Sequence, residues 1–193
     1  MAKTFMSTRP LRRLMRRFNR NARGVSAVEF ALILPVMIAL LFATAETTQG
    51  LQADRKASLA ARALSDLSSQ SSVITDADMN NILDATGKVL APFSVSNAKV
   101  IVTGIAIDVA GRATADWSAQ RNWTCYPRGT NMTVPSGLMP PMGTTGYLVL
   151  AEVQYRYTPA VAWFTSGSIT LSDKLYTRPR LGDTIARQGN TCM

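Results

Sequence analysis

An uninterrupted apolar segment, residues 25–45, limits what this chain can fold into more than any other feature. It reads VSAVEFALILPVMIALLFATA and contains one ionisable residue, Glu29. An α-helix rises 1.5 Å per residue, so a helix of this length spans roughly 31 Å, about the thickness of the hydrocarbon core of a bilayer. We therefore predict a membrane-spanning helix over residues 25–45 rather than the core helix of a soluble protein.

The positive charge of the chain is concentrated before this segment. Eight of the 21 Lys and Arg residues lie in residues 1–24, which contain no acidic residue, whereas residues 25–193 carry 13 basic and 12 acidic residues. A cationic leader on a nearly neutral body favours an anionic membrane surface over nucleic acid as its partner. By the positive-inside rule, the N-terminus stays cytoplasmic and the chain after residue 45 is exported.

The sequence gives little support for catalysis. There is no histidine, the commonest general base near neutral pH and the commonest metal ligand. Cys125 and Cys192 lie too far apart in sequence to form a C-x-x-C motif. Asp108, Asp116 and Asp173 have no base or further metal ligand beside them in sequence. We predict no enzyme, no cofactor and no metal site.

Glu29 is the unusual residue of the apolar segment. A carboxylate there costs a few kcal/mol unless it is paired or reaches the interface. If the chain were cut after Gly24, the new α-amino group of Val25 would lie one helical turn before Glu29 and could pair with it, in the same copy or a neighbouring one. The alternative is a hydrated carboxylate near the headgroups. Pro35 lacks a backbone N–H and predicts a kink.

Residues 20–35, RNARGVSAVEFALILP, resemble the processing site of type IV prepilins. They resemble more closely that of the TadE-like pseudopilins of the Flp, or tight-adherence, pilus system. In that family a basic leader and a glycine precede a glutamate, a phenylalanine and an apolar helix with a proline, which are here Gly24, Glu29, Phe30 and Pro35. The resemblance extends to about Arg180.

The resemblance implies a minor pseudopilin or assembly factor of the pilus, single-pass in the bacterial inner membrane, with its C-terminal domain in the periplasm. Its processing and assembly residues would be Gly24, Val25, Glu29 and Phe30, with cleavage after the glycine by a prepilin peptidase. The other implied partners are pilins or pseudopilins, the inner-membrane pilus platform and membrane lipid. Major Flp pilins are very short, so this longer chain is expected to be a minor subunit.

Other processing and another function remain open. Ala43-Thr44-Ala45 is an A-x-A pattern after an apolar run, and ordinary signal peptidase could cut there and release a soluble domain. The chain could also stay uncut. The alternative function is a periplasmic binding module or hydrolase, either tethered to the membrane or released from it.

We predict an α+β, pilin-like fold with a long N-terminal membrane-spanning helix, a second short helix and a small antiparallel sheet. Apolar residues at spacings of three and four continue the first helix to about Ser69, and Thr75 begins a second helix that ends near Leu90. The predicted strands are 99–109, 113–120, 147–157 and 168–178, with a long loop over 122–146. The predicted segments are a leader (1–24), a membrane helix (25–45), its amphipathic continuation (46–72) and an exported domain (73–193).

The two cysteines would meet an oxidising periplasm after export, where a disulfide is favoured. A bond between Cys125 and Cys192 would join the C-terminal tail to the long loop. Sequence alone does not show whether the two residues are close in space.

Overall fold

The computed structural model describes residues 22–159, 167–190 and 192. Residues 1–21 of the predicted basic leader lie outside the described residues. The chain divides into two compact units, Met1–Glu46 and Thr47–Met193, and each is described by itself.

The first helix, α1, is Ala22–Ser69. It begins three residues before the predicted start, ends where the spacing of apolar residues predicts, and continues through Pro35. Among the described residues it is the one helix that is long and apolar enough to cross a membrane, with a mean hydropathy of 2.4 in its most apolar window and none of that window buried. Helix α1 is therefore a candidate membrane span.

The second unit contains a four-stranded antiparallel sheet in the order β3-β2-β4-β5. The short helix α2, Asp76–Val89, precedes the sheet. The strands are β1 (Val73–Thr75), β2 (Ala98–Ile107), β3 (Ala113–Arg121), β4 (Gly146–Tyr157), β5 (Ile169–Thr177) and β6 (Ala186–Gln188). Two helices and a small antiparallel sheet make the fold α+β, as predicted.

A short parallel pair of strands, β1 and β6, was not predicted. It joins the chain just after α1 to the C-terminal segment, with Ile74 opposite Arg187. Each strand has three residues, which is too short for an alternating pattern to be recognised in the sequence.

The part of α1 that belongs to the second unit packs on one face of the sheet through small side chains. Ala53, Ala57, Ala60 and Leu64 are at most 1% exposed, and they share a core with Trp117 and residues of β2 and β4. Alanine side chains allow a helix to lie close to a sheet, so this stripe fixes α1 along the sheet.

The long loop covers the other face. Ile105, Ile107, Ala113, Leu148 and Leu150 form a second buried cluster, and side chains from the loop pack against it. These loop residues are Met132, Val134, Leu138 and Met139. The loop also extends the sheet edge at β3, where the amide of Ala115 donates to the carbonyl of Thr130 at 2.9 Å. The segment 122–145 is therefore mostly a covering layer.

Helix α2 begins at the predicted cap. The amide of Asp78 donates to Oγ1 of Thr75 at 3.2 Å, and the amide of Thr75 donates to Oδ2 of Asp78 at 3.1 Å. This reciprocal pair is a capping box, and it satisfies two amides that the first turn leaves without a helical partner. The hydrogen bonds from Thr75 hold the pKa of Asp78 below its usual value.

The register between β2 and β3 shifts at Gly104. Gly104 pairs with Trp117 and Ile105 pairs with Ala115, so Asp116 is the extra residue of a β-bulge. A Cβ atom on Gly104 would lie 2.3 Å from the hydroxyl of Tyr147 and 2.6 Å from Nε1 of Trp117. Glycine is needed here because two large rings meet above the strand.

Candidate functional site

The residues predicted to serve processing and assembly lie together near the beginning of α1. Val25 and Phe30 are 56% and 59% exposed, and Glu29 is also exposed. Val25 and Glu29 are four residues apart, about 6 Å along a helix and on the same side of it. A cut after Gly24 would leave a new α-amino group within one turn of the Glu29 carboxylate.

Gly24 has no packing reason to be glycine among the described residues. A Cβ atom placed on it would meet nothing within 4 Å, and it is part of a regular helix, where glycine costs about 1 kcal/mol relative to alanine. Packing within the described residues therefore does not account for a glycine at this position.

Large apolar side chains surround this part of α1 on every side. Between Val25 and Phe42, twelve of them are 39–72% exposed. A helix that is apolar all round requires an apolar environment, either lipid or other helices. This segment can thus serve both as a membrane anchor and as an assembly surface.

The alternative cleavage pattern, Ala43-Thr44-Ala45, lies inside α1. The hydroxyl of Thr44 donates to the carbonyl of Leu41 at 2.9 Å, a bond within the helix. Both candidate cleavage sites are helical, so their local structure does not distinguish them.

The second unit has a cleft of about 1000 Å³ at one end of the sheet. Its polar groups bond to one another: the carbonyl of Ile185 accepts from Nε1 of Trp117 at 3.0 Å and from the hydroxyl of Tyr147 at 3.1 Å. Asp116 pairs with Arg128 at 2.7 Å. Burial, and then the Asp116 charge, raise the pKa of Tyr147. The arrangement holds the C-terminal segment in place.

The three acids considered from the sequence have local partners. Asp108 accepts from the amide of Arg112 at 2.8 Å, which holds the Asp108 pKa below its usual value. Asp116 is held by Arg128, and Asp173 accepts from the amide of Lys174 at 2.8 Å. These acids occupy turn and strand positions with structural bonds. Within 22–159, 167–190 and 192, no cluster of His, Cys, Asp or Glu could hold a metal ion.

A buried acid on β4 was missed by the sequence reading. Glu152 is 2% exposed and contacts Nζ of Lys174 at 2.5 Å and the hydroxyl of Tyr126 at 3.1 Å. The hydrogen bond to Glu152 raises the pKa of Lys174, while burial and then the Glu152 charge raise the pKa of Tyr126. Glu152 lies directly opposite Lys174 in the register. Correct strand alignment would have revealed this pair, because opposite charges favour directly facing positions.

The second unit contains a disulfide between Cys125 and Cys192, whose Cα atoms are 5.7 Å apart. Cys125 is in the long loop, and Cys192 forms a parallel bridge with Ser118 of β3. The C-terminal segment is held at other points too. Arg180 pairs with Asp66 of α1, and Arg187 pairs with Asp76 at the start of α2. The segment therefore connects both helices to the sheet edge.

These features define a class of protein: an α+β unit that continues directly from a long apolar helix with exposed large side chains at its N-terminal end. Residues 24–65 match the family model described as TadE-like protein. The resemblance predicted from the sequence is thereby confirmed in residues 24–65, which contain Gly24, Glu29 and the part of α1 that packs on the sheet. This family suggests involvement in Tad pilus assembly. No curated protein and no solved structure matches the chain.

Proposed function

We propose that this protein is a minor pseudopilin or assembly factor for Flp, or tight-adherence, type IV pili. It is anchored in the bacterial inner membrane by residues 25–45, with the basic leader in the cytoplasm and residues 73–193 in the periplasm. A prepilin peptidase cuts it after Gly24. The protein acts through contacts with other subunits and is not an enzyme.

The observation that carries this proposal is the exposed apolar surface of α1 within the segment that matches the TadE-like family. Twelve large apolar side chains need lipid before assembly and could contact other apolar helices after it. A soluble module would have no use for this surface.

Glu29 can fix how α1 aligns with a neighbouring helix. Once the chain is cut, the α-amino group of Val25 carries a positive charge into an apolar environment and needs a partner. The Glu29 carboxylate, four residues on, supplies that partner in the same or a neighbouring copy. A helix displaced along its neighbour would leave both charges unpaired, so the pair favours one alignment.

The proposed partners follow from these parts of the chain. The prepilin peptidase acts at Gly24, other pilins or pseudopilins contact α1, and the inner-membrane pilus platform receives the anchored subunit. Membrane lipid surrounds the helix, and the positive charge of the leader faces anionic headgroups rather than nucleic acid.

The test is the N-terminus of the protein isolated from its own host. We expect intact mass and N-terminal sequencing to give a chain that begins at Val25. A chain beginning at Glu46 would instead support a released periplasmic domain, and an intact Met1 would support a plain membrane anchor without peptidase processing.

A second experiment separates assembly from the alternative function. Deletion of the gene should abolish or reduce surface pili, and expression of the full chain should restore them. Unchanged piliation in the deletion strain, or turnover of a substrate by the purified protein, would contradict the assembly proposal. The cleft of the exported unit would then be the first place to search for a ligand.

A further inference from the structure

The two edges of the four-stranded sheet differ in how they are covered. At the β3 edge the chain pairs with itself, since the amide of Met132 donates to the carbonyl of Ala113 at 2.9 Å. Cys192 also forms a bridge with Ser118 of β3. The opposite edge is β5. Among residues 22–159, 167–190 and 192, the backbone of β5 pairs with β4 alone, so the other side of this strand is an open edge.

The open edge is long enough to take up another strand. Strand β5 has nine residues, about 30 Å of extended chain. In an antiparallel pair, alternate residues direct their N–H and C=O groups away from the partner strand, so about half of the residues of β5 offer these groups at the open edge. Backbone groups of this kind are a template for pairing with a strand of another chain.

The lysine of β5 does not protect the open edge. Edge strands commonly carry lysine or proline, which keep other strands away, but β5 contains no proline. Nζ of Lys174 contacts Oε1 of Glu152 at 2.5 Å, and Glu152 lies directly opposite it on β4. The ammonium group is therefore directed toward β4 and away from the open edge.

The other face of β5 carries an acid, Asp173. It lies opposite Val153, which is buried in the core that α1 shares with the sheet, so Asp173 is on the face that packs on α1. Leu171 and Leu175 flank it on this face, and all three are half-buried. The Asp173 carboxylate accepts from the amide of Lys174 at 2.8 Å. In the described part of the chain, no Lys or Arg side chain forms an ion pair with it.

This carboxylate determines which strand can pair at the open edge. An apolar or acidic side chain opposite Asp173 would leave a partly desolvated charge without a partner, which is costly. A Lys or Arg side chain there would pair with it, and opposite charges at facing positions stabilise a sheet. Two residues to either side of that cation, apolar side chains would lie beside Leu171 and Leu175. The matching strand therefore has the pattern apolar-x-basic-x-apolar.

A second copy of β5 does not match. Asp173 is the middle residue of β5. In a symmetric antiparallel pair of two β5 strands aligned over their full length, it would face Asp173 of the other copy. Like charges at directly facing positions destabilise a sheet. The charge of Asp173 therefore favours a different chain as the partner.

We propose that the open edge of β5 is a docking site for an extended segment of another protein with the pattern apolar-x-basic-x-apolar. The segment adds a fifth strand to the four-stranded sheet, and its basic side chain pairs with Asp173. This inference goes beyond the proposed function. It uses the second unit by itself and does not depend on cleavage after Gly24 or on insertion of α1 into a membrane.

The test uses the full chain in detergent micelles and three dye-labelled peptides. The first peptide, STVTRTVTS, has the proposed pattern, and the other two replace its arginine with glutamine or glutamate. Fluorescence anisotropy measures the affinity of each peptide. Hydrogen exchange of the protein amides, with and without the arginine peptide, shows where it binds. We expect slower exchange over residues 170–176 and unchanged exchange in β3, whose edge is already covered.

The charge of Asp173 is tested by comparing peptides and variants. We expect the arginine peptide to bind about three- to fivefold more tightly than the glutamine peptide, as for a partly exposed charge pair, and the glutamate peptide to bind most weakly. In Asp173→Asn the arginine and glutamine peptides should bind equally. The matched control is Asp84→Asn, which removes a negative charge beside Arg121 at the opposite edge of the sheet and should keep the preference for arginine.

Each contrary result has its own meaning. If no peptide bound at concentrations up to about 1 mM, Asp173 would only protect the edge, and the docking site would be overturned. Slower exchange elsewhere with β5 unchanged would also overturn it. Slower exchange in β5 that depends on protein concentration without peptide would make a second copy the partner and overturn the proposed one.

The charge comparison has one contrary result as well. Equal binding of the arginine and glutamine peptides to the wild-type protein would overturn the role of Asp173 and the proposed pattern. None of these results alters the expected N-terminus of the protein or its effect on piliation, so the proposed function is tested separately.

Discussion

Removing the disulfide should cost stability chiefly through the unfolded chain. Cys125 and Cys192 are 67 residues apart in sequence, and cross-linking a loop of this length lowers the entropy of the unfolded ensemble by an amount worth about 4 kcal/mol at 25 °C. In the folded state other bonds hold the C-terminal segment, including the ion pair of Arg187 with Asp76 and the pairing of β6 with β1. The segment should therefore stay docked in the variant.

The variants Cys125→Ala, Cys192→Ala and the double substitution should each lower the free energy of unfolding by about 3–4 kcal/mol. Urea unfolding of the full chain in detergent micelles, followed by tryptophan fluorescence, measures this change. The three variants should agree, because each removes the same bond. Reductant should shift the urea unfolding midpoint of the wild-type protein to that of the variants and leave the midpoint of the double variant unchanged.

Two results would refute this reasoning. If the free energy of unfolding of the double variant were within about 0.5 kcal/mol of the wild-type value, the cross-link would not restrict the unfolded chain. If thiol labelling of periplasmic protein under denaturing, non-reducing conditions found two free thiols, the bond would not form in the cell. Dimers lost on reduction would point to an intermolecular contact instead.

Three further predictions concern other parts of the chain. Gly104→Ala should destabilise the second unit by about 1–3 kcal/mol, because the new methyl group displaces the rings of Trp117 and Tyr147. The matched control in the same unfolding assay is Gly137→Ala, whose new methyl group meets nothing within 4 Å. Equal stability of the two variants would contradict the packing argument. Stability should fall at alkaline pH, because the pKa values of Tyr147, Tyr126 and Lys174 are raised in the folded state. The stability that these groups contribute is complete below their unfolded-state pKa values near 10, and it is lost as the pH rises above those values toward the folded-state pKa values. Tyr126→Phe should make the pH profile flatter, and an unchanged slope would exclude this source. Glu29→Gln should leave processing and membrane insertion normal but block incorporation into the pilus complex, since a broken buried pair costs about 3–5 kcal/mol; normal piliation would show that the carboxylate only meets water or headgroups.

The sequence predicts the elements whose signals are local and repeated. An apolar stripe identified the helix beyond the membrane segment: Ala53, Ala57, Ala60, Leu64 and Leu67. The first four are buried and Leu67 is half-buried. Thr75 and Asp78 identified the capping box, since the two partners are only three residues apart. The four main strands were identified by the alternation of apolar residues at every second position.

The features that the sequence did not reveal depend on distant partners. Glu152 resembles a surface acid until Lys174 is placed opposite it, which requires the β4–β5 register. Strands β1 and β6 are short and their pairing is parallel, so neither alternation nor a hairpin turn marks them. The loop residues that cover the second face are spaced irregularly, because they follow the shape of a cluster rather than the period of a helix or strand.

Residue type and burial change together along α1. The part of α1 that belongs to the second unit packs through alanines, whereas the part from Val25 to Phe42 exposes twelve Leu, Ile, Val, Met and Phe side chains. Fully burying one such side chain is worth about 1.5–3 kcal/mol, so twelve that are roughly half exposed represent about 10–20 kcal/mol. That is comparable with the whole stability of a typical domain, about 5–15 kcal/mol. A form beginning at Glu46 would discard this surface, whereas a form beginning at Val25 keeps all of it and adds a charge that Glu29 can pair. Cleavage at Gly24 is therefore useful only if the apolar helix is still needed after the cut, first inserted in lipid and then packed against other helices.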